Sequence, residues 1–169
     1  KLAETSIENY SKLSGNSAAI YRLPGVFGKW CKPNYNSVVA TFCYNIAHGL
    51  EIRVNDPDYL VKLVYVDDVV DSFIEWLHGP FLNGLSRNTI DPEYKISLGE
   101  LAKIIEEFPN SRKSLVSERV GGGFLRSLYS TYVSYLPSNK FKYTIPCYGD
   151  ERGVFVEMLK TKDSGQFSF

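Results

Sequence analysis

The sequence predicts an α/β chain that passes into an all-β segment near residue 140. Three observations carry that expectation. Apolar residues at helical spacing alternate with short apolar strands as far as Leu136. The stretch Arg22-Leu23-Pro24-Gly25-Val26-Phe27-Gly28-Lys29-Trp30 places a loop at the end of one such strand, where α/β proteins put ligands. From Tyr143 to Phe169 the pattern changes to strand-like alternation.

Taken in order, Leu2 to Ser14 predicts a helix, with Ala3, Ile7, Tyr10 and Leu13 at helical spacing and Gly15-Asn16 as its stop. Ala18 to Leu23 predicts a buried strand ended by Pro24, followed by a loop to Asn36. A helix from Ser37 to His48 carries Val38, Val39, Phe42 and Ile46 on one side, and Gly49 closes it. Glu51 to Asn55 and Tyr59 to Val66 predict a strand pair about the Asp56-Pro57-Asp58 turn. Asp67-Asp68 then opens a helix through Leu77, with Val70, Phe73, Ile74 and Leu77 facing inward. Two carboxylates in a first turn complement the helix dipole, which gives them a structural reason to be there rather than a catalytic one.

Tyr94 to Ser97 predicts a short strand, and Ser97-Leu98-Gly99-Glu100 has capping-box spacing. The helix it starts buries Leu101, Ile104, Ile105 and Phe108 and stops at Pro109. Asn110 to Gly123 reads as a polar connector. Its Gly121-Gly122-Gly123 lacks the Lys-Ser/Thr ending and the preceding strand of a phosphate loop. Phe124 to Leu136 predicts a Tyr-rich helix, and turns at Asp150 to Gly153 and Asp163 to Gly165 divide the strands beyond it. The expected domains are therefore 1–140 and 141–169, the second being the start of a β domain. A chain that opens on Lys1 rather than Met and stops within a β alternation is expected to be an internal piece of a longer protein.

Hydrophobic residues at 44% are enough for a packed core. Lys+Arg and Asp+Glu are both 19, so no net positive charge supports a phosphate-neutralising surface, and nucleic acid is not an expected partner. Cys31, Cys43 and Cys147 form no CxxC pair, which fits reduced thiols and a cytoplasmic location better than a disulfide framework. No apolar run approaches a membrane span, so membrane insertion is not expected. His48 and His78 each precede a glycine at a predicted helix end, where a base complements the dipole. Neither has a ligand partner at metal spacing, and no metal is expected in this segment.

Lys32, Asn34, Tyr35 and Asn36 crowd polar groups into one loop. They can serve as a helix-capping loop, through Asn34 or Asn36, or as contacts for a substrate with amides and a diphosphate. Arg53 and Lys62 are hairpin cations that either reach a diphosphate or are simply solvated.

The succession of helix, strand, RLPGVFGKW loop, helix and YVDD helix resembles the C-terminal half of the extended short-chain dehydrogenase/reductases, a Rossmann-type family acting on nucleotide-activated sugars. Their signature is Tyr-x-x-x-Lys at the head of a helix, followed by a strand and an Arg-x-x-Asn-x-Tyr/Phe-Gly loop. Lys1 stands where that lysine falls, with the tyrosine just before the first residue. Arg22, Phe27 and Gly28 match the loop pattern, whereas Gly25 stands where the family has Asn. The string Phe27-Gly28-Lys29-Trp30-Cys31-Lys32-Pro33-Asn34-Tyr35-Asn36-Ser37-Val38 is similar to bifunctional reductase–cupin enzymes of capsular polysaccharide synthesis. Leu128-Tyr129-Ser130-Thr131-Tyr132, Ser134-Tyr135-Leu136-Pro137-Ser138 and Glu151-Arg152-Gly153 are similar to them too.

The resemblance implies NADPH- or NADH-dependent reduction of a 4-keto UDP-2-acetamido-2,6-dideoxy-hexose, on the route to UDP-N-acetyl-L-fucosamine. A cupin epimerase domain would follow, with zinc bound outside this segment. It implies Lys1 as catalytic and cofactor-binding, and Pro24, Gly25 and Val26 beside the nicotinamide. Arg22, Lys32, Asn34, Tyr35, Asn36 and Arg53 would bind the UDP-sugar. It also implies a homodimer or larger homo-oligomer, and a segment that is inactive alone. The chemistry is coherent: a ketone accepting hydride develops charge on oxygen and needs an acid beside it. An ammonium one helical turn from a phenol lowers that phenol's pKa. Two alternatives stay open: a UDP-sugar 4-epimerase or dehydratase of the same superfamily, and a non-catalytic remnant.

Overall fold

The computed structural model describes residues 2–80, 84–119, 121–162 and 165–168. In chain order they form α1 (Leu2–Ser14), β1 (Ala18–Tyr21), β2 (Gly25–Phe27), α2 (Val38–His48), β3 (Leu60–Tyr65), α3 (Val66–His78), β4 (Leu85–Asn88) and β5 (Tyr94–Ser97). There follow α4 (Leu98–Glu107), α5 (Ser111–Ser114), β6 (Val116–Ser117), α6 (Gly123–Val133), β7 (Cys147–Asp150), β8 (Gly153–Thr161) and β9 (Gln166–Ser168). Short 3₁₀ turns cover Phe108–Asn110 and Ser138–Lys140. The chain divides into two compact units, Lys1–Val26 with Lys62–Lys95, and Phe27–Val61 with Ile96–Phe169.

In the first unit β1 and β4 pair in parallel, from Ala18 opposite Leu85 to Tyr21 opposite Asn88. Strands β2, β3 and β5 hydrogen-bond in that order. Val64, Val69 and Ile90 make a small core with Tyr21 packed against it, and the Tyr21 ring meets Phe73 edge-on at 4.7 Å. The segment Gly25–Phe27, expected as loop, is a strand, and Leu85–Asn88 is a strand that the sequence reading passed over. Both are short and pattern-poor: Leu85 is the one apolar residue of β4, which owes its conformation to its neighbour β1.

The apolar faces of α1 and α3 need correction. On α1 the residue that is buried is Ser11, whose hydroxyl donates to the Asn16 carbonyl at 2.7 Å, while Leu2, Tyr10 and Leu13 are exposed. On α3, Val70, Phe73, Ile74 and Leu77 were expected inward; all are exposed, and Val69 is the buried position. Helical spacing shows that a helix has an apolar face. It does not show that this stretch of chain covers it.

The second unit is built on α2, α4 and α6. Val39, Cys43, Leu101, Ile105, Phe108 and Leu128 are almost wholly removed from solvent. The Phe108 ring meets Tyr129 at 5.1 Å and Tyr132 at 5.4 Å. Burial pushes the Cys43 thiol up, so it remains a neutral core group. Helix ends are set locally: Ser37 caps α2 by accepting the Ala40 N–H at 3.3 Å, and Ser97 caps α4 by accepting the Glu100 N–H at 3.2 Å. Gly49 closes α2 at φ 74, and Lys140 Nζ donates to the Ala47 carbonyl at 2.7 Å. His48 and His78 each place Nδ1 against the carbonyl four residues back, at 2.8 and 3.0 Å.

Glu51–Asn55 is not a strand. Its side chains alternate in burial, but the segment is irregular, and the turn after it is tied to α4 by Leu98 N–H to Tyr59 and Gly99 N–H to Pro57. A Cβ on Gly99 would sit 3.0 Å from Pro57 Cβ, a close approach that a larger residue would widen by a few tenths of an ångström. Helix α4 ends at Glu107, two residues before Pro109, which lies inside the 3₁₀ turn that follows. The connector contains α5 and β6. Strand β6 pairs in parallel with β8 at Val116–Lys160 and Ser117–Thr161, and Glu118 meets Lys162 Nζ at 2.7 Å. Strands β7 and β8 form an antiparallel hairpin closing at Asp150–Gly153, and β9 pairs antiparallel with β8. Residues 163 and 164 of the expected second turn lie outside the described residues.

Two substitutions should rank in a fixed order. Ser97→Ala removes a cap and should lower unfolding free energy by about 1 kcal/mol. Phe108→Ala empties a fully buried ring site and should cost about 3–5 kcal/mol. Urea midpoints of the purified chain check the order.

Candidate functional site

The site residues expected from sequence fall on two stretches, one in each unit, apart from Arg53, which lies elsewhere, and Lys1, which lies outside the described residues. The first stretch runs from the end of β1 into β2. Here Arg22 forms a two-pronged pair with Glu4 of α1: Nε to Oε1 at 2.9 Å and Nη2 to Oε2 at 2.6 Å. The Arg22 hydrogen bond, the largest influence, draws the Glu4 carboxyl below its ordinary range. Arg22 thus fastens α1 to the end of β1, with its guanidinium exposed beyond that pair. Its neighbour ion pair, Arg87 with Glu8 at 3.4 Å, holds the same helix to β4.

Pro24 is half-buried, and Gly25 and Val26 are exposed. Gly25 replaces the asparagine of the related loop pattern for a visible reason. A Cβ there would lie 3.1 Å from both Leu63 Cδ2 and the Lys62 carbonyl oxygen. Strand β3 would have to give by a few tenths of an ångström to admit a side chain. Lys62 itself pairs with Glu93 at 3.1 Å.

The second stretch is the loop from Gly28 to Ser37. Lys32, Asn34, Tyr35 and Asn36 are all exposed on it. Lys32 Nζ stands 5.5 Å from the centre of the Tyr35 ring. Because Ser37 caps α2, neither Asn34 nor Asn36 performs that task. The Asn34 backbone N–H instead donates to Thr41 Oγ1 at 2.9 Å. Trp30, which the sequence reading did not single out, is 81% exposed with Lys29 Nζ 6.0 Å from its ring. The signal was a tryptophan beside a lysine in a polar loop. Arg53 is exposed in the irregular segment before β3.

Burial first, then the Asp71 and Asp67 charges, raise the Asp68 carboxyl at the start of α3. Burial, then Asp68 and Asp91, raise the Tyr94 phenol. Among the described residues no group of three or more His, Cys, Asp or Glu side chains is placed to hold a metal ion. No described helix is long and apolar enough to cross a membrane.

No family model matches the chain. UDP-glucose 4-epimerase from Thermotoga maritima superposes with a TM-score of 0.64 over 83% of this chain and 52% of its own, at 18% identity. At that identity the likeness is one of fold alone. CapF from Staphylococcus aureus, a capsular polysaccharide assembling protein, superposes with a TM-score of 0.85 at 43% identity over 99% of this chain and 46% of its own. The UDP-2-acetamido-2,6-beta-L-arabino-hexul-4-ose reductase of Pseudomonas aeruginosa is 51% identical over all 169 residues, 45% of its length. The chain is a homologue of both along its whole length, and it spans about half the length of each.

Two outcomes test the first stretch. The Glu4 carboxyl should titrate below 4.5, its ordinary value, and move upward in Arg22→Gln, as followed by carbon NMR. Because the folded value is depressed, the pair's contribution is present above that ordinary value and is lost as pH falls through the folded one. Gly25→Asn should destabilise the chain by about 1–3 kcal/mol through overpacking against β3, read from its denaturation midpoint.

Proposed function

We propose that this chain is the substrate-binding portion of an NADPH-dependent sugar-nucleotide reductase. The reaction is reduction of a 4-keto UDP-2-acetamido-2,6-dideoxy-hexose, in the cytoplasmic synthesis of UDP-N-acetyl-L-fucosamine for surface polysaccharide. The observation that carries this reading is 51% identity, without a break in coverage, to a reductase named for such a substrate. Domain 1–140 belongs to the reductase and 141–169 begins a cupin epimerase domain. Zinc would belong to the cupin domain, outside this segment. The whole enzyme is a homo-oligomer, a reading supported by the exposed apolar residues of β7, β8 and β9.

The nicotinamide supplies hydride when bound. Lys1 would supply the ammonium that, in the resembled signature, lowers the pKa of the tyrosine protonating the carbonyl oxygen. The Pro24–Val26 stretch suits a flat, weakly polar ring better than a pyrophosphate: Pro24 has no N–H, and Gly25 and Val26 carry no charge. Lys32, Asn34, Tyr35 and Asn36 offer a cation, two amides and an aromatic face, a set that matches uridine and its diphosphate. Arg53 adds a second cation. Arg22 binds substrate only by sharing its fork with Glu4, so its main contribution is to hold α1 in place.

The intact gene product should consume nicotinamide absorbance stoichiometrically when given NADPH and the UDP-4-keto sugar. An epimerase would recycle the cofactor instead, and a non-catalytic remnant would leave it untouched. Lys1→Met should lower kcat on the order of a hundredfold or more with little change in KM for the sugar nucleotide. An unaltered kcat would remove Lys1 from the mechanism.

A further inference from the structure

The Gly28–Ser37 loop is held at its least probable point by two consecutive hydroxyls from the end of α6. Trp30 and Asn34 have φ of 61 and 54, left-handed values that asparagine tolerates but tryptophan rarely adopts. Such conformations persist where the surroundings over-determine them. The Trp30 N–H donates to Ser134 Oγ at 3.4 Å, and that hydroxyl donates onward to the Thr131 carbonyl at 2.7 Å. The Tyr135 phenol donates to the Cys31 carbonyl, and its ring meets Tyr44 edge-on at 6.1 Å. The donor before the Trp30 side chain and the acceptor just after it are thus each taken by one hydroxyl. At the far end of the loop, Thr41 Oγ1 receives the Asn34 N–H and donates to the Ser37 carbonyl, both at 2.9 Å.

This clamping acts on the backbone alone. The Trp30 and Tyr35 rings remain 81% and 79% exposed, with the Lys29 and Lys32 ammoniums 6.0 and 5.5 Å from their centres. A fixed backbone presenting two exposed aromatic residues, each with a cation over its ring, fits a ligand that is part flat ring and part phosphate. Fixing it beforehand lowers the ordering cost of binding.

We propose that Ser134 and Tyr135 are positioning residues that keep the Trp30–Tyr35 loop in the shape that accepts a nucleoside diphosphate. The inference deepens the sugar-nucleotide reading above and rests on it. Burial, the largest influence, pushes the Tyr135 phenol up to about 12, so it stays a hydrogen-bond donor across the working pH range.

The test uses the intact gene product, with UDP alone as the calorimetric probe and steady-state reduction as the second readout. Tyr135→Phe and Ser134→Ala should each weaken UDP binding on the order of tenfold. KM for the keto sugar nucleotide should rise by a similar factor, with kcat within about twofold and NADPH affinity unchanged. Ser134→Thr, which keeps a hydroxyl, should restore most of the UDP affinity. If Tyr135→Phe does not fold, the Ser134→Ala and Ser134→Thr pair decides on the same readouts. Folded variants that bind UDP as the wild type does, or that lose UDP and NADPH affinity in equal proportion, overturn the positioning role alone. A wild-type enzyme that reduces the keto sugar but does not bind UDP also overturns only this inference. A wild type that neither reduces nor binds overturns both readings.

Discussion

Close packing among α2, α4 and α6 is the constraint from which the second unit follows. Val39 and Cys43 from α2, Leu101 and Ile105 from α4, and Leu128 from α6 leave almost no surface to water. Interiors this dense do not slide. Once the three helices are seated, the start of α2 fixes one end of the Gly28–Ser37 loop and the end of α6 fixes the middle of it. The same packing brings Lys140 onto the last turn of α2. A polar loop with little buried surface of its own therefore inherits its shape from a core it does not join.

The first unit rests on a different balance. Its core is small, and α1 is attached by its polar side through Glu4 and Glu8. Exposed ion pairs are individually weak. Here two of them act on one helix, and both anchor to the strand pair β1–β4. The apolar stripes of α1 and α3 remain on the surface.

Much of this was legible in the chain. The helices Leu2–Ser14 and α2 to within a residue, the β5–α4 junction with its Ser97 cap, and the β7–β8 turn all follow from local chemistry. Capping hydroxyls, left-handed glycines and 3.6-residue spacing act within one turn, so the sequence displays them. Strands β2, β4 and β6 were not legible, because two to four residues with weak patterning become strands only when a distant partner pairs with them. Inward orientation for α3 failed for the same reason: burial is decided by what lies opposite. At the candidate site, residue types could be read but their tethers could not. Arg22 with Glu4, and Trp30 and Cys31 with Ser134 and Tyr135, are joined across long separations in the chain.

The parallel pairing of β6 with β8 carries an implication for the order of events as the chain folds. Val116 finds its partner at Lys160, forty-odd residues later, whereas the β7–β8 hairpin closes on its immediate neighbours. Until synthesis has passed Thr161, β6 has no ladder to join, and its backbone groups must be satisfied by water. The hairpin is thus the template and β6 the latecomer, although it leaves the ribosome first.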